Sequence, residues 1–171
     1  MNTPHKAWRV GDDVDTDQLA PGAYMKFGIA DIARHCLEGI RPDFAGGVRA
    51  GDVLVAGRNF GIGSSREQAA SALVQLGLRA VIAPSFGGLY FRNAFNVGLL
   101  LLTCERAGEI ADGEQVGIDL PNHRVLRSDG TSLPCEPVPD FLLDMVRAGG
   151  LLAQLKHRLA QGTLPRYPLK A

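Results

Sequence analysis

Two short segments of the chain carry residue types that could bind an anion and move a proton. One is a loop with four carboxylates, Asp12, Asp13, Asp15 and Asp17. The other spans residues 61–66, where two glycines precede two serines and an arginine. Glycine lets the backbone approach a ligand closely, and arginine binds a carboxylate through two parallel hydrogen bonds. The second segment therefore predicts an anion-binding site.

The elements around residues 61–66 support this interpretation. A buried strand is predicted over residues 52–56, which are almost continuously apolar, and a helix over residues 69–76. A strand, a glycine loop and a helix in this order direct free backbone N–H groups and the helix dipole at a ligand. The segment matches neither the dinucleotide motif nor the P-loop motif, and its serines lack the spacing of a hydrolase elbow. It is therefore an anion site of another kind.

The acidic loop has two interpretations. Aspartate favours turns and helix N-caps, so the four carboxylates fit solvated turn residues and a cap. A calcium loop is disfavoured, because the segment lacks the glycine at the sixth position and the glutamate at the twelfth that such a loop needs.

Apolar segments alternate with segments of helical periodicity along the chain, which is typical of an α/β domain with a mostly parallel central sheet. Further strands are predicted over residues 78–83 and 99–102, and a hairpin over 116–120 and 124–126. Further helices are predicted over residues 29–37, 85–96 with Ser85 as N-cap, 141–146 and 151–159. We expect a single domain over residues 1–171, with a helical tail over about 140–171 that ends in a proline-rich stretch.

Composition excludes several classes of function. The chain is 46% hydrophobic and has 18 basic and 18 acidic residues, so a nucleic-acid binder is disfavoured. No apolar run reaches the ~20 residues of a membrane helix, and residues 1–8 do not resemble an export signal. The three cysteines are odd in number and far apart, which favours reduced thiols and a cytoplasmic location: Cys36, Cys104 and Cys135.

Residues 59–67 read Asn-Phe-Gly-Ile-Gly-Ser-Ser-Arg-Glu and resemble the signature of the swivelling domain of the aconitase superfamily. Flanking segments agree in the same order, at residues 15–17, 83–86, 92–93 and 147–151. Together they cover nearly the whole chain, and its length is similar to that of the separate small subunits of the isopropylmalate dehydratase family. The resemblance implies a swivelling β/β/α domain of the aconitase type.

The resemblance also implies a reversible hydro-lyase that dehydrates and rehydrates a hydroxy dicarboxylic acid. The main expectation is isomerisation between 2-isopropylmalate and 3-isopropylmalate in leucine biosynthesis. A [4Fe-4S] cluster is expected on a separate iron-sulfur large subunit and not on this chain, whose scattered cysteines do not form a cluster motif. The alternatives are a related small subunit, acting on citraconate or methylmalate, dimethylmaleate or homoaconitate, and an inactive carboxylate-binding module.

Site residues follow from the resemblance position by position. Ser64 matches the base that takes the proton α to a carboxylate, and Arg66 matches an arginine that binds substrate carboxylate. Asp17 matches an active-site aspartate that handles protons or hydrogen-bonds the substrate. Ser65 is a substrate-binding candidate, with helix capping as the alternative.

Residues 24–28 resemble the loop that contacts the variable substituent of the substrate, which makes Tyr24 and Lys26 further substrate-binding candidates. Aconitases place an arginine where Gly28 stands, and two-subunit tricarboxylate enzymes place one where Lys26 stands. A cation is thus retained at one of the two positions. The alternative for Lys26 is a solvated loop lysine.

Overall fold

A computed structural model describes residues 4–162 of the chain. The strands in this range are β1 His5–Arg9, β2 Val53–Val55, β3 Ala80–Ala83, β4 Leu100–Thr103, β5 Gln115–Asp119, β6 Arg124–Leu126 and β7 Ser132–Pro134. The α-helices are α1 Thr16–Leu19, α2 Ile29–Arg34, α3 Phe44–Gly47, α4 Gln68–Gln75, α5 Gly88–Asn96, α6 Asp140–Ala148 and α7 Leu151–Ala160. Single 3-10 turns occupy Gly22–Tyr24 and Ala107–Glu109.

The strands form one sheet in the order β4-β3-β2-β1-β5-β6-β7. Strands β1 to β4 pair in parallel, with Leu54 opposite Trp8 on one side and Val81 on the other. The remaining pairs, from β1–β5 to β6–β7, are antiparallel. The predicted α/β class is confirmed, and the predicted parallel sheet is the β1–β4 half.

The two outer strands of this sheet meet at one end. Glu136, just after β7, donates its backbone N–H to the carbonyl of Thr103, the last residue of β4, at 2.9 Å. The sheet is therefore curled, so that its first and last strands come into contact. This contact also places Cys104 beside Cys135.

Most predicted elements are confirmed, including the strand at 52–56, the hairpin, and helices α4, α6 and α7. The single-domain assignment stays a prediction, and residues 163–171 of the predicted tail lie outside the described residues. Helix α2 ends earlier than predicted, because Leu37 adopts a left-handed φ of 62° and donates its N–H to the carbonyl of Gln18.

Ser85 as the N-cap of α5 is wrong. The helix starts at Gly88 with Gly87 as its cap, and the Ser85 hydroxyl instead accepts the backbone N–H of Asn59 at 2.9 Å. The Ser85 hydroxyl, which was predicted to cap α5, therefore links the loop after β3 to the loop after β2.

The loop after β2 rests on aromatic side chains of the core. Phe60 is fully buried and packs edge-on against Tyr90 of α5, with ring centroids 5.3 Å apart. Gly61 lies directly over the Tyr90 ring, because a Cβ there would be 2.2 Å from Tyr90 Cγ. Gly61 also has a φ of +79°. This position therefore accepts only glycine, both for space and for backbone conformation.

We expect Gly61→Ala to lower the free energy of unfolding by about 3 kcal/mol, since it adds a steric clash to a strained φ. Gly130→Ala is the matched control, because Gly130 has a similar φ of +84° and nothing within 4 Å of an added Cβ. That variant should lose only ~1 kcal/mol. Urea unfolding followed by circular dichroism measures both, and equal losses would contradict close packing at Gly61.

Candidate active site

The candidate site lies at the carboxyl edge of the parallel half of the sheet, where ligands of open α/β sheets bind. Loops that follow β1, β2 and β3 are joined there by backbone hydrogen bonds. Gly61 donates to the carbonyl of Val14 at 2.7 Å, and Phe60 donates to that of Ser85 at 3.1 Å. Residues distant in sequence are thereby held in one surface.

Ser64 lies between a buried hydroxyl and a guanidinium. Its Oγ is 3.1 Å from Thr16 Oγ1, and the two hydroxyls share a hydrogen bond. Arg66 Nε donates to the same Ser64 Oγ at 2.9 Å. A positive donor beside a hydroxyl oxygen stabilises its deprotonated form, so this arrangement favours the alkoxide form in which Ser64 can act as a base.

Arg66 is held in place by its own partners. Nη1 donates to the carbonyl of Ala20 at 2.7 Å and forms an ion pair with Asp17 Oδ1 at 2.6 Å. The Arg66 side chain is 21% exposed and that of Asp17 is 67% exposed. An ion pair this open contributes ~0 to 1 kcal/mol, so a ligand carboxylate can compete with Asp17 for Arg66. The structure thus brings together three predicted residues, Ser64, Arg66 and Asp17.

Thr16 is a site residue that the sequence did not reveal. It is 1% exposed, and besides the shared hydroxyl contact its Oγ1 accepts the backbone N–H of Ser64 at 3.0 Å. Thr16 in turn donates its own N–H to the carbonyl of Ile62 at 2.9 Å. Both the backbone and the side chain of Ser64 are therefore positioned by one residue of α1. In the sequence, the only indication of this role is that Thr16 lies between Asp15 and Asp17.

Ser65 is positioned by its backbone. Its carbonyl accepts a hydrogen bond from Asn93 Nδ2 of α5 at 2.8 Å, a contact that the sequence did not predict. The N-cap of α4 is Glu67, and no side-chain cap is formed there. The capping alternative for Ser65 is therefore not what the structure shows, and its role at the site stays a prediction.

The acidic loop acts as turn and cap, as the first interpretation predicted. Asp15 accepts the N–H of Gln18 at 2.8 Å while the Gln18 side chain accepts that of Asp15, a capping box at the start of α1. Asp12 accepts the N–H of Arg58 at 2.7 Å, and Asp13 accepts from the Asn59 side chain at 2.8 Å. Across residues 4–162, no group of three or more metal-ligating side chains is arranged around a common point.

Tyr24 and Lys26 lie shortly after Ala20 in the chain, the residue whose carbonyl accepts a hydrogen bond from Arg66. The Tyr24 ring stacks on His35 at 3.6 Å, and burial together with the nearby Glu38 carboxylate raises the pKa of Tyr24. Lys26 is exposed, with its Nζ 5.2 Å from the centre of the Phe27 ring. Within the described part of the chain, no hydrogen bond or ion pair links either residue to Ser64 or Arg66.

The cysteines of the chain do not fit an iron-sulfur cluster. Such a cluster needs several thiolates that converge on one point. Cys36 is buried in the core, where burial raises its pKa, whereas Cys104 and Cys135 lie together at the closure of the sheet.

The fold and the site together define a swivelling domain of the aconitase type, and residues 48–107 match the family model for the aconitase C-terminal domain. The 3-isopropylmalate dehydratase small subunit 1 of Archaeoglobus fulgidus is 42% identical over 86% of this chain and 92% of its own length. The methanogen homoaconitase small subunit of Methanothermobacter thermautotrophicus is 44% identical over 86% of each chain.

A solved structure is equally similar. The crystal structure of 3-isopropylmalate dehydratase (leuD) from Methanocaldococcus jannaschii superposes with a TM-score of 0.88, at 42% identity over 95% of this chain and 98% of that one. The chain belongs to the family of 3-isopropylmalate dehydratase small subunits within the aconitase superfamily. Among the described residues, no helix has the length and apolar character needed to cross a membrane.

The position of Thr16 generates a prediction about the site. Thr16→Val keeps the shape but leaves the Ser64 N–H without its acceptor, so we expect the free energy of unfolding to fall by about 1–3 kcal/mol. Thr16→Ser retains the hydroxyl and should recover most of that loss. Hydrogen exchange of the Ser64 amide, measured by NMR in both variants, checks the cause. An equally slow exchange in Thr16→Val would show that Thr16 does not hold this loop.

Proposed function

We propose that this chain is the small subunit of a two-subunit hydro-lyase that interconverts 2-isopropylmalate and 3-isopropylmalate. The observation that carries the proposal is the contact of Arg66 Nε with Ser64 Oγ at 2.9 Å, on a loop held by Thr16. The names of the Archaeoglobus relative and the Methanocaldococcus structure support this substrate.

Ser64 is the proposed base. In its deprotonated form, Ser64 Oγ takes the proton from the carbon α to a substrate carboxylate, the C–H electron pair becomes the double bond, and the hydroxyl leaves from the neighbouring carbon as hydroxide. On rehydration, Ser64 returns a proton while water adds with the opposite orientation, which yields the isomer. Arg66 lowers the cost of negative charge on Oγ, because its guanidinium donates directly to that atom.

Arg66 is proposed to exchange its ion pair with Asp17 for an ion pair with a substrate carboxylate. Before substrate arrives, the Asp17 carboxylate occupies Nη1 of Arg66 and keeps the guanidinium oriented toward Ser64. A substrate carboxylate has the same charge and geometry as Asp17 and can take its place. The released Asp17 is then free to accept a proton or a substrate hydrogen bond, in line with the role implied by the family resemblance.

A partner is proposed because this site is open. Ser64 and Ser65 are exposed, whereas proton abstraction from carbon proceeds best where bulk water is excluded. We infer that an iron-sulfur large subunit covers the loop and supplies the group that activates the departing hydroxyl. A cytoplasmic location is part of the proposal, and it rests on the number and spacing of the cysteines.

A homoaconitate-type substrate is the second candidate, since the Methanothermobacter relative is named a homoaconitase small subunit at comparable identity. The two candidates differ in the substituent that residues 24–28 would face. Citraconate or methylmalate and dimethylmaleate enzymes stay alternatives of the same reaction class.

Reconstitution tests the proposed function. We expect the purified chain alone to be colourless and inactive, and to gain activity when an iron-sulfur large subunit of the family is added anaerobically. Formation of the alkene intermediate, followed by ultraviolet absorbance, is the measurement. Activity of the isolated chain with a cluster of its own would overturn the two-subunit proposal.

In the reconstituted enzyme, Ser64→Ala should lower kcat roughly 10²- to 10⁴-fold, since it removes the base. Arg66→Lys should lower kcat/KM roughly 10- to 100-fold, because lysine lacks the planar fork that binds a carboxylate. Ser128→Ala and Arg34→Lys, both at exposed positions, are matched controls that should retain activity. Subunit association, measured by size-exclusion chromatography, should be unchanged in all four variants. Normal turnover by Ser64→Ala would end its assignment as the base.

The loop at residues 24–28 yields a prediction about substrate preference. Burying a branched alkyl group against its aromatic side chains contributes roughly 1.5–3 kcal/mol, whereas an exposed Lys26 contributes ~0 to 1 kcal/mol to carboxylate binding. We therefore expect a higher kcat/KM for 3-isopropylmalate than for homoaconitate, and little change of that ratio in Lys26→Met. Lys156→Met, on exposed α7, controls for loss of charge. A tricarboxylate preference that disappears in Lys26→Met would establish the second candidate.

A further inference from the structure

Two thiols that are distant in sequence touch where the sheet closes. Cys104 directly follows β4, and Cys135 directly follows β7. The two thiols are close enough for each to shift the pKa of the other, and Cys135 Sγ also donates to the carbonyl of Leu133 at 3.8 Å. The neighbouring backbones are joined as well, since Glu136 donates to the carbonyl of Thr103 at 2.9 Å. Sequence spacing excluded a disulfide framework here, but the curl of the sheet makes these two cysteines neighbours.

The backbone around both cysteines is already fixed. Cys104 donates its N–H to the carbonyl of Ala83 at 2.9 Å, and Cys135 donates to that of His123 at 2.7 Å. A disulfide needs Cα atoms about 4.4–6.8 Å apart, which is the spacing of residues on adjacent hydrogen-bonded segments. The proposed disulfide would therefore join two segments that the Glu136–Thr103 backbone hydrogen bond already holds side by side.

The two thiols also differ in a way that suits exchange chemistry. The neighbouring Cys135 thiol and Arg106 lower the pKa of Cys104, while burial and Glu109 act in the opposite direction. The Cys104 thiol and burial raise the pKa of Cys135. Cys104 therefore loses its proton more readily than Cys135. Cys135 is partly exposed, so a small oxidant can reach the pair from the Cys135 side.

We propose that Cys104 and Cys135 form a peroxide-sensitive dithiol site whose disulfide joins the two outer strands of the sheet. The Cys104 thiolate attacks hydrogen peroxide, which gives a sulfenic acid and hydroxide. The Cys135 sulfur then attacks the Cys104 sulfur, the S–O bond breaks, and the leaving hydroxide takes the Cys135 proton. In sum, two thiols and one peroxide yield one disulfide and two waters.

Cys36 provides an internal control for this proposal. It is fully buried in the core, and burial is the cause of its raised pKa. Cys104 is just as buried as Cys36, but it lies beside Cys135, which is partly exposed. Selective oxidation of Cys104 and Cys135 should therefore show that the neighbouring thiol, and not the degree of burial, sets the reactivity of Cys104.

The test treats the full chain with hydrogen peroxide, then unfolds it, alkylates it with iodoacetamide and maps its peptides by mass spectrometry. We expect loss of two hydrogens, a linked peptide pair that contains Cys104 and Cys135, and alkylation of Cys36 alone. The oxidised chain should melt roughly 5–10 °C higher than the reduced chain, because the cross-link restricts the unfolded state. Dithiothreitol should reverse both effects.

Variants of the three cysteines distinguish oxidation at this site from general oxidation of thiols. Cys36→Ala should still form the disulfide, whereas Cys104→Ala and Cys135→Ala should each abolish it and the rise in melting temperature. If Cys104→Ala or Cys135→Ala fails to fold, the disulfide pairing found by mass spectrometry in the unmodified chain is the deciding test. A disulfide that includes Cys36, or conversion of Cys135 to a sulfinic acid while Cys104 stays reduced, would overturn the proposal.

Discussion

The packing of Gly61 on the ring of Tyr90 is the constraint on which the rest of the site depends. The backbone at Gly61 lies so close to Tyr90 that no side chain fits between them, and Gly87 has equally little space against the carbonyl of Gly61. This contact brings the loop after β2 against the start of α5. It also leaves the Gly61 N–H directed at Val14, which ties the same loop to the acidic segment after β1.

From that contact, the site is assembled by hydrogen bonds rather than by the glycine loop alone. Gly63, with a φ of +105°, turns the chain so that the N–H of Ser64 meets the buried hydroxyl of Thr16. The N–H groups of a glycine loop are the expected anion donors, but the one at Ser64 is already used within the protein. The positive charge beside Ser64 is supplied by the Arg66 side chain. The glycines provide close packing and a turn, and the charge comes from Arg66.

The sequence predicted β2, β3, β4 and helix α4 because each carries a continuous signal, either an unbroken apolar run or helical periodicity. Strand β1 was not predicted, because only two of its five residues are buried. Strand β7 was not predicted either, since it has only three residues, of which Leu133 alone is buried, and this is too short for a recognisable pattern. Ser85 was assigned to its own helix because capping is a local rule, whereas its actual partner, Asn59, lies on another loop. Local sequence patterns therefore predict helices and strands but not the hydrogen bonds between loops.

The same distinction explains which site residues could be predicted. Ser64 and Arg66 lie two positions apart, so their contact follows from one turn of backbone and from the family signature. Thr16 and Asn93 reach the loop from α1 and α5, so their roles depend on how three strand ends are brought together. The proximity of Cys104 to Cys135 is the hardest to predict, because only the closure of the whole sheet makes them neighbours. The further apart two residues lie in the sheet order, the less a sequence pattern can show that they touch.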